Sequence, residues 1–186
     1  MTIADSTTPD TVLSGDAATR NDSAPSFEEG VRQARPMPVS TAVANQVEPL
    51  GPNSLVWKYY GDNRQILGFQ RVAGTENCIE QLAKGVEEHS VIFSDFKGRA
   101  ERTVPPIMST VYSADPHGWG RKVRDFHRNI KGTIDSDGSS YHAMNPELFY
   151  WAHATFVDQV IYVTDTFIRR LSHAEKAQMF EESKRW

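Results

Sequence analysis

Residues 145–170 constrain the fold of this chain more than any other stretch. Asn145 offers a side-chain oxygen to cap a helix, Pro146 suits the first helical position, and Glu147 favours the positive end of the helix dipole. From Leu148 to about Arg170 the pattern is helical and apolar on most sides, through Trp151, Phe156, Val157, Val160, Ile161, Val163 and Phe167. A helix that is apolar all round has no solvent face, so it must sit centrally with other elements packed on it. The rest of the chain has to supply that cover.

Only part of the chain can do so. Residues 1–50 hold one aromatic residue, Phe27, five prolines, and seven acids against three bases. They are rich in Ser, Thr, Asp and Ala and show no sustained apolar period. Such a segment cannot offset a chain entropy of roughly 1–2 kcal/mol per residue. It is predicted to be a disordered leader, with a folded domain over residues 51–186. The net charge of −4 belongs to the leader, and the domain is neutral.

Within the domain the expected elements are helices and loops. Asp62 caps a helix over Asn63–Val72, with Ile66, Leu67 and Phe69 to bury. Thr75 caps a second over Glu76–His89, with Ile79, Leu82, Val86 and His89 on its apolar face. A loop runs through Phe96-Lys97-Gly98, and Thr103 before Pro105-Pro106 suits a helix entrance. Gly118 and Gly120 mark a break. A helix over about Arg121–Lys131 follows, stopped by Gly132, with Val123, Phe126, His127 and Ile130 on its inner face. Residues 132–140 form a polar loop. Ser172-His173-Ala174-Glu175 is a capping box opening a last helix. No strand pattern competes, so the fold class is all-α.

Composition excludes several functions. A neutral domain is a poor partner for nucleic-acid phosphates, and the basic stretch 121–131 has no aromatic platform beside it. One cysteine, Cys78, excludes an internal disulfide and a multi-cysteine metal site. No apolar run of about 18 residues exists to span a bilayer, and the amino terminus lacks the pattern of a secretory signal. A cytoplasmic location is the resulting expectation. The DSDG turn at 135–138 is no calcium loop, because Thr133 and Met144 would occupy the end positions that require carboxylates.

Two clusters could carry chemistry. His127 faces inward from a helix flanked by Arg124, Arg128 and Lys131. A neutral imidazole among apolar walls with cations nearby is what a haem site asks for, while the plainer reading of the same pattern is a packed histidine on an amphipathic surface helix with a solvated basic face. Arg99, Arg102 and Thr103 read either as a polar loop or as cations and a hydroxyl facing an anionic or oxygen-rich ligand.

Several blocks then match a known family in order and spacing. They are Asn53-Ser54-Leu55-Val56-Trp57, Gly61-Asp62, and Gln81 followed by Gly85-Val86 and His89-Ser90. Next come Gly98-Arg99 with Arg102-Thr103, then Val123-Arg124, His127 and Ile130-Lys131-Gly132. Tyr141, Ala143, Asn145-Pro146-Glu147-Leu148, Trp151 and His153-Ala154-Thr155 close the match. From about residue 50 to 186 the chain resembles the catalytic domain of the rubber oxygenase (latex clearing protein) and the MpaB/MpaB′ oxygenases.

The resemblance implies a globin-like helical domain holding haem b non-covalently. It implies His127 as the ligand of the haem iron, with Arg124 and Lys131 as further cofactor-binding residues. Lys131 replaces an arginine of the family, keeping the charge without the bidentate fork. Arg99, Arg102 and Thr103 fall on the catalytic block. The implied chemistry is oxidation or cleavage of an alkene in a hydrophobic, prenyl-like substrate by dioxygen. Relatives continue past the point matching Trp186, so the resemblance also implies a domain cut short at its C-terminal end. A second copy or partner is then expected to cover its core. The alternative reading is a non-catalytic helical member that binds haem or a partner without turnover.

Overall fold

The computed structural model describes residues 47–186, so the leader expected at residues 1–50 lies almost wholly outside the described residues. The described chain is helical apart from one small hairpin, as an all-α reading requires. The first helix, α1 (Leu55–Tyr60), is capped by Ser54, whose Oγ accepts from Trp57 N at 3.2 Å. A 3-10 helix (Asn63–Gly68) follows, capped by Asp62 as expected, and runs into α2 (Phe69–Glu76). Ile66 and Leu67, expected in the core, are 69% and 59% exposed. The tighter 3-10 turn sends Gln65 inward instead, where its Nε2 reaches Tyr59 O at 3.2 Å.

Thr75 is not a cap. It lies inside α2 and its hydroxyl donates back to Arg71 O at 2.8 Å, so the chain breaks only at residues 77–79 before α3 (Glu80–His89). Two further elements differ from expectation for one cause. Helix α4 (Phe96–Tyr112) begins where a loop was expected, and Asp95 caps it by accepting from Gly98 N at 2.8 Å. Helix α5 (Pro116–Asp125) includes Gly118 and Gly120, expected as a break, and Asp115 caps it through Gly118 N at 2.8 Å. In both cases glycine stands at the third helical position because a Cβ there would overlap the capping carboxylate. Thr103, Pro105 and Pro106 therefore lie inside α4. The carbonyls that the prolines leave unpaired belong to Glu101 and Arg102, which are exposed to water.

Helix α5 stops at Asp125, short of the expected Lys131. Asp125 Oδ1 accepts from both Arg124 and Arg128, and the chain turns through residues 126–129. His127 thus sits in this turn and Phe126 is 61% exposed. The expected loop is a hairpin, β1 (Lys131–Thr133) against β2 (Ser140–His142), with Gly132 opposite Tyr141. Gly132 is no helix cap. A side chain there would meet Tyr141 and the Glu88 carboxylate, which takes the Tyr141 hydroxyl at 2.5 Å and ties the hairpin to α3.

The central helix is as expected at its start. Asn145 caps α6 (Pro146–Val163) by accepting from Glu147 N at 3.0 Å. Its far end widens into a π turn over Thr164–Ile168, and Phe167 is 45% exposed there. The capping box at Ser172–Glu175 opens α7 (His173–Ser183). Val160 of α6 packs with Val56 and Tyr60 of α1, Val111 of α4, and Leu171 and Met179 at the end of the chain. Trp186 packs against Tyr60 with the rings tilted by 57° and donates its indole N–H to Thr110 at 2.8 Å. That core occupies one end of α6. Neither α3 nor α5 buries any residue fully, so Ile79, Leu82, Val86 and Val123 remain half-buried.

Candidate functional site

The turn after α5 fixes His127 in one orientation. Its Nδ1–H donates to the carbonyl of Val123 at 2.7 Å, and its ring meets Phe149 of α6 edge-on at 5.3 Å. Burial lowers the imidazole's pKa below the usual histidine range, and the positive charge of Arg99 lowers it further. The ring is therefore neutral at pH 7 with its proton on Nδ1, as assigned from the hydrogen bond. Nε2 keeps its lone pair and has no hydrogen-bond partner among the described residues. A histidine held this way through its other nitrogen is oriented as a metal ligand.

Arg99 comes from α4, one turn after Asp95, and is half-buried. Its Nε donates to Ser90 Oγ at 3.3 Å. Burial and the neighbouring charge of Arg102 disfavour its cationic form, and Glu76 opposes them. Arg102 is exposed and faces Asp95 at 3.6 Å. Thr103, four residues after Arg99, shares its face of α4 and is half-buried.

The other two expected residues stand apart. Arg124 is committed to Asp125, with its Nε at 2.9 Å and Nη2 at 2.7 Å from Oδ1. Lys131 is exposed on β1, and its carbonyl oxygen lies 3.2 Å from His89 Nε2. No contact links its side chain to His127 or Arg99 among the described residues.

Glu76, at the end of α2, was missed by sequence reasoning. Its Oε1 lies 3.2 Å from the hydroxyl of Thr155, a buried residue of α6. Burial pushes its carboxyl up to about 7, with the Thr155 hydroxyl and the Arg99 charge pulling the other way. Taking Thr75 as a cap put Glu76 in a solvated first turn. Extending the preceding helix instead places Glu76 on the stripe of Phe69 and Val72, four residues beyond buried Val72.

Arg99 of α4 thus lies within electrostatic reach of both Glu76 of α2 and His127 after α5, Glu76 resting on Thr155 and His127 on Phe149 of α6. No three His, Cys, Asp or Glu side chains are grouped to hold a bare metal ion among the described residues. A lone imidazole with a free Nε2 fits instead a metal that brings its other ligands with it, as in a macrocycle. No helix among the described residues is long and apolar enough to cross a membrane.

No curated protein and no solved structure matches the chain. One family model does, described as the catalytic domain of the ER-bound oxygenase mpaB/B′ and rubber oxygenase, over residues 57–186. It runs from the middle of α1 through α7 and includes every residue of the cluster. The chain therefore belongs to the MpaB and rubber oxygenase catalytic-domain family, a family of oxygenases.

Proposed function

We propose that this domain is a haem b-dependent oxygenase acting on a hydrophobic, prenyl-like alkene. The observation that carries the reading is the neutral His127 with an unengaged Nε2. When bound, haem supplies the dioxygen chemistry, in which an alkene and one dioxygen give two carbonyl groups. His127 would hold the iron through Nε2, and the Val123 carbonyl keeps the proton on the opposite nitrogen. Phe149 limits rotation of the ring.

The half-buried apolar faces of α3 and α5 offer walls for a macrocycle and a hydrocarbon chain, and their burial would exclude water from the reacting carbons. Arg99, Arg102 and Thr103 supply cations and a hydroxyl to orient oxygen atoms at the site. Arg124 and Lys131 would serve the propionates, with Arg124 leaving Asp125 to do so. Dioxygen uptake by the haem-supplied full chain with a polyprenyl substrate tests this function. Uptake with carbonyl products is the expected result. A haem-loaded protein that consumes no dioxygen with any prenyl substrate contradicts it.

A further inference from the structure

Arg99 is a cation without a counter-ion. Three other half-buried cations, Lys84, Arg124 and Lys176, each face a carboxylate, Lys176 through Asp165 at 2.7 Å. Arg124 is held by Asp125, and Lys84 faces Glu87, Glu88 and Asp135 within 3.4 Å. No carboxylate lies within ion-pair distance of Arg99 among the described residues, and its one hydrogen bond goes to the neutral Ser90 hydroxyl. Its two Nη groups form an unused fork of the shape that grips a carboxylate. Arg102, one turn on, adds a second positive charge rather than relief.

The carboxyl that could neutralise Arg99 is Glu76, and the geometry around Thr155 argues that Glu76 is itself protonated. The Thr155 hydroxyl lies 2.8 Å from the Ala152 carbonyl and 3.2 Å from Glu76 Oε1. It has one proton to give. With that proton nearer the Ala152 carbonyl, ionised Glu76 gets only a long, shared hydrogen bond from Thr155 in its buried position, which favours the protonated carboxyl. For a full hydrogen bond, ionised Glu76 would need the Thr155 hydroxyl to swing away from Ala152. The surrounding charges oppose this only in part, Arg99 favouring the ionised form without outweighing burial. Arg99 of α4 is the cation whose field reaches Glu76, with Arg102 behind it, and His127 is neutral. On α6, Asp158 is paired with Arg71 of α2, and Glu80 of α3 accepts from Ser136 at 2.9 Å.

We propose that Arg99 is a proton-gated anion site: with Glu76 protonated, its fork binds a carboxylate of the ligand, and ionisation of Glu76 closes the site. The proposal deepens the function proposed above by giving that ligand an acidic group, and it does not need haem to be present. The same chemistry has two sources, a haem propionate or an acid group on the hydrophobic substrate. Protonation of Glu76 and anion binding at Arg99 are positively linked, so affinity falls as pH rises through about 7.

Decanoate titrated into the haem-free full chain tests this, with decanol as the uncharged control. Decanoate stays ionised over this range. Binding about tenfold weaker near pH 8 than near pH 6 is expected, from the fraction of Glu76 protonated at each. Arg99→Gln should abolish the preference for decanoate over decanol. Glu76→Gln should bind decanoate equally at both pH values, and thermal melts check that each variant folds. Decanoate excluded by haem assigns the carboxylate to a propionate, and decanoate bound beside haem assigns it to the substrate. Equal affinity near pH 6 and pH 8 in the wild type overturns the proposal, as does an Arg99→Gln variant that still prefers decanoate. The wild-type pH dependence stands even where a variant fails to fold. A haem-binding failure would show in the visible spectrum and leave this titration unaffected.

Discussion

The carboxylate of Glu182 in α7 accepts the backbone N–H of Val56 in α1 at 2.9 Å, across 126 residues of chain. Glu182 is 6% exposed, and its other oxygen takes a hydrogen bond from Gln178 at 2.8 Å. The contact satisfies one of the free N–H groups at the start of α1 and joins the two ends of the described chain. Glu182→Ala would leave a buried donor without a partner. The expected loss is about 2 kcal/mol in urea unfolding, with Glu182→Gln losing less because it keeps the acceptor. An alanine variant with wild-type stability would contradict this role.

The paired Asp-x-x-Gly caps make a second expectation. Alanine at Gly98 or Gly118 would displace the carboxylate of Asp95 or Asp115 from its N–H. Each substitution should cost about 1–2 kcal/mol, although alanine is the better helix former in isolation. Gly120→Ala has open space and no cap to disturb, so it is the control and should hold or raise stability. Thermal melts of the three variants measure this directly.

Two buried histidines and Glu76 give stability pH dependences of opposite sign. His127 has a lowered pKa in the fold, as does His153, chiefly through burial. Their contribution is present above the ordinary histidine value of about 6.5 and is lost as pH falls below it, because the unfolded chain takes protons first. Glu76 has a raised pKa of about 7. Its contribution is present below the ordinary glutamate value and is lost as pH rises from there towards 7. Glu76→Gln should therefore stabilise the protein little near pH 4.5 and by about 3 kcal/mol at pH 7 and above. Urea melts across this range check the sign, and a benefit that shrinks with rising pH would contradict it.

Local rules read the central part of the fold well. The caps at Asn145 and Ser172 involve partners within three residues, so sequence contains them entirely. Asp95 and Asp115 use the same chemistry, yet they were hidden because glycine at the third helical position reads as a breaker. The hairpin strands, Lys131–Thr133 and Ser140–His142, are too short to show alternation. Their anchor is Glu88, which lies 53 residues from Tyr141 in sequence and next to it in space. The candidate site follows the same division. Arg99, Arg102, Thr103 and His127 were singled out by spacing and resemblance, whereas Glu76 depends on where α2 ends and on Thr155, 79 residues away.

The visible spectrum of the purified full chain with haem supplied, compared with His127→Ala, tests the central claim most directly. The account predicts a Soret band for the wild type that is lost or shifted in His127→Ala and is restored to that variant by added imidazole. An unaltered band in His127→Ala would contradict ligation by His127, and no band in the folded wild type would contradict haem binding itself.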